Sequence, residues 1–159
     1  MSVRMHRLYL LSLSAQKCFD FERALQGFED LMAMGHKASF LHYGAMHLRG
    51  QGVPINFKKG MENIILSTEG GHHYASLFLG SLYYQGEYGV KRDYSAARFW
   101  FKKAESDGSV LVDYWYAQMY YHGNGYKRNI DKALDHLYLG FNKGDQRSRK
   151  MLEEIERLG

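Results

Sequence analysis

The sequence predicts an all-α fold: a right-handed α-solenoid of about four helix–loop–helix repeats closed by a C-terminal capping helix. Three sets of positions predict it. Gly35, Gly71, Gly108 and Gly144 recur at intervals of 36, 37 and 36 residues. Asp20, Asn56, Asp93 and Asn129 keep the same irregular beat, as do Ala24, Gly60, Ala97 and Ala133. A period of this length in independent positions marks one supersecondary unit repeated along the chain. Stacked units present broad surfaces rather than deep clefts, so binding is the expected class of function.

The segment from Tyr74 to Gly108 shows the unit most clearly. Ala75, Leu79, Leu82 and Tyr83 fall at helical spacing and predict a first helix over 74–85. Gly80 inside it costs about 1 kcal/mol relative to alanine, which points to close approach of a neighbouring helix. Gly86 and Gly89 end that helix, and Asp93 is an N-cap whose carboxylate can accept from exposed amides of the next one. Ala97, Trp100, Phe101 and Ala104 give the second helix, about 94–107, its packing stripe. Gly108 stops it.

The same register over the whole chain predicts helix pairs at 3–16 with 21–34, 38–49 with 57–69, 74–85 with 94–107, and 111–122 with 130–143. A last helix spans 146–158. These define a single repeat domain: a degenerate N-terminal repeat (1–36), repeats at 37–72, 73–109 and 110–144, and a capping helix (145–159). The one extra residue in the 37-residue interval falls in a loop, where Glu87-Tyr88 stands for the single Gln51. Nothing reads as strand.

At 159 residues, 45% hydrophobic and 24% charged, the chain has the composition of one globular domain. Its net charge of +4 is too diffuse for a nucleic-acid face: Lys127-Arg128 is one local basic spot, and acids dilute Arg147, Arg149 and Lys150. Cys18 is the single cysteine, which excludes an intramolecular disulfide and favours a buried structural thiol in a reducing compartment. No apolar run is long enough to span a bilayer. Arg4, His6 and Arg7 before residues 8–15 weakly imitate a signal peptide. The period needs that stretch as a helix, so the cytoplasm is the expected location, with the periplasm as the alternative.

The run Ala75, Leu79-Gly80, Tyr83, Gly86, Gly89-Val90, Asp93, Ala97, Trp100-Phe101, Ala104 and Gly108 resembles the Sel-1-like repeat, a tetratricopeptide-like α-solenoid family. The resemblance extends over about 38–144 at lower fidelity. His47 stands where Tyr83 and Tyr120 stand, Gly60 replaces an alanine, and Ser67 and Gly140 replace Ala104. The resemblance implies a non-enzymatic scaffold or adaptor that binds a protein partner, often in bacteria, such as a secreted effector or an envelope or secretion component. It implies no cofactor and no catalytic residues. Two alternatives follow from it: an immunity protein that sequesters a toxic effector, and a regulatory subunit of an envelope or glycan hydrolase.

In such solenoids the first helices line the concave surface. Removing the packing positions leaves Leu41, Ala45, Leu48 and Arg49, then Leu77, Ser81, Tyr84 and Gln85, then Tyr114, Gln118, Tyr121 and His122 as the expected partner-binding residues. Leu48, Tyr84 and Tyr121 form a ladder of one residue per repeat, with the amphipathic character of interface residues. The alternative is that these side chains pack between adjacent units.

Other constellations point to structure. His72-His73 and the His42, His47 pair lack the spacing of helical metal ligands. The Gly-x-Gly turns at 50–52 and 123–125 follow helices and lack the Lys-Ser/Thr of a phosphate loop. Glu153-Glu154 has no cleft to separate two pKa values. No metal site and no catalytic set is expected.

Overall fold

A single Asp or Asn locks the joint of each helical hairpin. In the computed structural model, which describes residues 2–158, Asn56, Asp93 and Asn129 stand just before the second helix of a pair. Their backbone N–H groups donate to the carbonyls of His47, Tyr83 and Tyr120 at 3.0, 2.9 and 3.0 Å. Their side-chain oxygens accept from amides of the helix that follows: Lys59 at 2.9 Å, Ser95 and Ala96 at 2.9 and 3.0 Å, and Lys132 at 2.9 Å. One residue thus satisfies exposed groups at the end of one helix and the start of the next.

The helices are α1 (Val3–Lys17), α2 (Phe21–Ala33), α3 (Lys37–Arg49), α4 (Phe57–Thr68), α5 (His73–Gln85), α6 (Tyr94–Ser106), α7 (Asp113–His122), α8 (Ile130–Asn142) and α9 (Gln146–Leu158). No strand occurs among the described residues. The bounds match the sequence expectation closely except at α7, which starts at Asp113 instead of residue 111. There Ser109 Oγ accepts from the Leu111 amide at 3.3 Å, a local turn that delays the helix.

At Gly108 φ is +88°, and a β-carbon added there would meet nothing within 4 Å. Glycine is therefore required by the left-handed backbone and not by space. The turn closes with the Ser109 N–H donating to the Ala104 carbonyl at 2.9 Å, the pattern that ends helices on a C′ glycine.

The chain divides into two units, with the boundary in the first turn of α5 between Ala75 and Ser76. In unit 1, α1 packs on α2, α2 on α3 and α3 on α4. Phe28, Leu31, Met46 and Ile64 are fully buried. A β-carbon on Gly44 would stand 2.6 Å from the Gly60 carbonyl oxygen, so α3 and α4 meet backbone to backbone. The first hairpin lacks Gly-x-Gly and turns instead through Phe19, at φ +62° and 77% exposed. Cys18 is exposed, which corrects the expectation of a buried thiol. It caps α1 in a turn too short to be covered, its N–H donating to the Ser14 carbonyl at 3.0 Å.

In unit 2, Ala97, Phe101, Ala104, Val112, Trp115 and Met119 form one buried cluster. Phe101 stacks on Trp115 at 5.4 Å and occupies the space above Gly80, where any β-carbon would run into its ring. A second cluster joins Ala117 and Leu137 to Met151 and Leu152 of α9. Asp113, buried at the start of α7, ties α8 to this arrangement: Lys143 Nζ donates to it at 2.6 Å and His136 Nδ1 lies 3.0 Å away. Burial alone would raise this carboxyl. The hydrogen bonds and charges of His136 and Lys143 outweigh burial and hold it below its ordinary value.

Candidate partner-binding site

The ends of α5 and α7 and the start of α6 enclose a depression of about 310 Å³ in unit 2, lined by Tyr84, Gln85, Arg92, Tyr94, Gln118, His122 and Asn124. Tyr84 is its central side chain. Its ring lies edge-on to Trp115 at 5.7 Å and tilted on Tyr94 at 5.5 Å, and its hydroxyl accepts from Asn124 Nδ2 at 3.2 Å. Burial pushes the hydroxyl pKa up, so it stays protonated as a donor. Arg92 donates to the Gln85 carbonyl at 3.1 Å and closes the C-terminus of α5. Arg128 does the same for α7, Nε donating to the Tyr121 carbonyl at 3.1 Å.

The structure thus brings Tyr84, Gln85, Gln118 and His122 of the expected set around one depression. Tyr121 lies beside it, its ring edge-on to His122 at 5.0 Å. Gln118 is partly committed to packing, since Nε2 donates to the Tyr114 hydroxyl at 3.1 Å and to Met151 Sδ at 3.2 Å. Tyr114 lies under the Arg147 guanidinium at 4.7 Å. Ser81 turns back on its own helix and donates to the Phe78 carbonyl at 2.8 Å.

Three residues of the set do not face solvent. Ala45, Leu48 and Leu77 are only 6, 2 and 8% exposed. Leu48 fills the space above Gly60 of α4, and Leu77 belongs to the core cluster around Phe101. Of the expected ladder, Leu48 belongs to the core, while Tyr84 and Tyr121 are half-buried, each packed against a core cluster. In unit 1, Leu41 is half-buried and Arg49 is exposed.

A second depression, about 540 Å³, was not expected from the sequence; Tyr120, Tyr126, Lys127, Arg128, Asn129 and Lys132 line it. Its wall is a pile of rings. Arg98 lies over Tyr126 at 4.5 Å, Tyr126 stacks on Tyr120 at 4.6 Å, and Tyr120 stacks on His136 at 5.8 Å. Lys132 Nζ sits 5.4 Å from the Tyr120 centroid. The available signal was Tyr126 standing where Val53 and Val90 stand in the other repeats.

Unit 1 has a depression of the opposite character beside α2, where Asp20, Glu22 and Glu29 face a lone Arg23. His42 of unit 1 is half-buried. Its ring stacks on Phe28 at 5.2 Å, and Nε2 shares a hydrogen bond with the Tyr9 hydroxyl at 2.9 Å. Burial first, then the charges of His72, Arg49 and His36, lower its pKa to about 4. Among the described residues no three His, Cys, Asp or Glu side chains gather as metal ligands would, and no helix is long and apolar enough to cross a membrane.

The Sel1 repeat family model matches residues 41–72, 73–109 and 113–145. The chain belongs to this family, whose repeats mediate protein–protein interaction and are typically non-catalytic. Two solved structures share its fold. A Sel1 repeat protein from Oxalobacter formigenes has a TM-score of 0.77 at 20% identity, over 94% of this chain and 62% of that one. The protein c5321, a protective antigen of uropathogenic Escherichia coli strains displaying an SLR fold, gives 0.76 at 24%, over 95% of this chain and 33% of that one. The chain therefore spans less than two thirds of either relative. Among curated proteins its sequence has no match. The likeness establishes the all-α solenoid fold that the repeat predicts.

Proposed function

We propose that this Sel1 repeat chain is a non-enzymatic adaptor that captures a partner protein at the Tyr84 depression of unit 2. The observation that carries the reading is the lining itself: tyrosine, amide, arginine and histidine side chains with no carboxylate among them. Tyr84 offers a ring held rigid by Trp115 and Tyr94 and a polar tip, which is how interface anchors gain contact area at low entropic cost. Gln85 and His122 are exposed on its rim and supply polar contacts. Partner choice then comes from residues that vary between repeats, while the capped joints keep the surface rigid.

The test is capture of a partner from the native host, followed by titration of the identified protein against variants. Tyr84→Phe combined with His122→Ala is expected to weaken binding about tenfold, with helical content and melting unchanged. Wild-type affinity in that variant, or failure to recover any specific protein, overturns the reading.

A further inference from the structure

The second depression of unit 2 has a charge pattern that the Tyr84 site does not use. Three cationic side chains, Lys127, Arg128 and Lys132, line it together with Tyr120, Tyr126 and Asn129, and no carboxylate lines it. Unit 1 provides the contrast, since its own open depression carries three carboxylates. Arg128 is oriented by its bond to the Tyr121 carbonyl, so one of the three charges is fixed in place by the fold. Lys132 lies against Tyr120, and Tyr120 is clamped between Tyr126 and His136. The floor is therefore a rigid aromatic stack and the rim is positive.

We infer that this depression binds carboxylate side chains of an acidic segment in the partner protein. The inference rests on the reading that unit 2 takes a protein partner, and it specifies that partner's chemistry. Concentrated cations over a low-polarity aromatic floor strengthen attraction to an anion that displaces little ordered structure. A peptide carboxylate can approach the cations while its methylene stem lies on the tyrosine rings. A polynucleotide fits less well. It needs a continuous run of phosphate contacts, and beyond the pocket α8 exposes Asp131 and Asp135, which interrupt any such track. The Tyr84 depression lies across the end of α7, so an acidic segment in this pocket would leave neighbouring partner residues for Tyr84, Gln85 and His122.

The test follows amide shifts of the full chain during titration with a hexaglutamate peptide. Shifts are expected at residues 126–132, and the affinity is expected to fall about tenfold in Lys127→Glu/Lys132→Glu. The charge-matched control Lys102→Glu/Lys150→Glu, at exposed sites elsewhere in unit 2, stays within about twofold. If the first pair disturbs folding, wild-type affinity falling about tenfold between about 0.05 and 0.5 M salt, with Lys127→Gln alone weakening it, carries the same inference. Equal loss in both double variants overturns it, as does the absence of shifts. So does binding of inorganic phosphate or hexathymidylate at these amides as tightly as hexaglutamate. Hexaglutamate binding that persists while Tyr84→Phe/His122→Ala still captures the partner normally would sink the Tyr84 reading alone. Absent binding with capture still dependent on Tyr84 would sink this one alone.

Discussion

Unit 1 and unit 2 are built on one hairpin design and finish with loop edges of opposite charge. In unit 1 the left-handed Gly50 is covered by Ile55, and the neighbouring depression is lined by Asp20, Glu22 and Glu29. In unit 2 the residues at the position of Ile55 are Arg92 and Arg128, which lie over Gly86 and Gly123 and donate to the last carbonyls of α5 and α7. The backbone requirement is the same in both units: unpaired carbonyls and a left-handed turn at the end of a helix. An aliphatic side chain answers it by covering the turn, an arginine by bonding the carbonyls as well. The arginine leaves a positive charge at the edge, so a residue recruited for helix termination also sets what the surface attracts.

The interiors differ too, and three measurements would sharpen or break the comparison. The largest effect concerns the aromatic core of unit 2. Phe101→Ala removes a fully buried ring stacked on Trp115 above Gly80, and is expected to cost about 3–5 kcal/mol, read from the urea midpoint. A cost below about 1 kcal/mol would mean that α5 and α6 do not depend on that ring.

Acid should separate the units next. Unit 1 holds four histidines whose pKa values are lowered, chiefly by burial: His36, His42, His47 and His72. For His42 the folded value is about 4 against about 6.5 in the unfolded chain, so between these pH values the unfolded state binds more protons. Stability from this group is present above about pH 6.5 and falls by about 3 kcal/mol as the pH drops to 4. Asp113 in unit 2 has a lowered pKa instead, so its contribution is full above the ordinary carboxylate value and is lost only as the pH falls from there through the lowered one. Urea titrations followed at amides of each unit should show unit 1 weakening first, and His42→Gln should flatten its slope. Equal stability of unit 1 at pH 7 and pH 4.5 would contradict the burial of His42.

The smallest effect compares caps. Asp93→Ala, which removes two short amide contacts, is expected to cost about 1 kcal/mol. Asp20→Ala, at the degenerate first hairpin, should cost less, because Asp20 accepts only from the Arg23 amide at 3.3 Å. Thermal melts of the two variants decide this, and a larger loss at Asp20 would overturn the ranking.

The fold was legible in the sequence because its signals are local and repeated. Asx caps and C′ glycines dictate where helices stop whatever surrounds them, so helix bounds could be read to within a residue or two. The site was only partly legible. The period identifies which face a side chain occupies and leaves open how many neighbours cover that face. Leu48 and Leu77 are buried because α3 packs against helices on two sides and Leu77 joins the Phe101 cluster. Tyr84, Gln85 and His122 lie at helix ends, where coverage is thinner, and the structure gathers them with Gln118 around one depression. The pile from Arg98 to His136 left only the change from valine to Tyr126 as a signal, because Tyr126 follows the positive-φ Gly125 and its direction is set by that turn and not by helical periodicity.

The doubly bonded Asp or Asn at each joint makes the hairpin loop modular in length. The bond from the capping residue back to the first helix is 3.0 Å at Asn56, where one residue separates the loop glycines, and 2.9 Å at Asp93, where Glu87 and Tyr88 do. A loop longer by one residue between Gly86 and Gly89 leaves the bond from Asp93 to Tyr83 in place, so a graft there would extend the rim while that joint still closes. The repeat thereby offers a place where new recognition loops can be inserted into a fixed scaffold, by selection or by design.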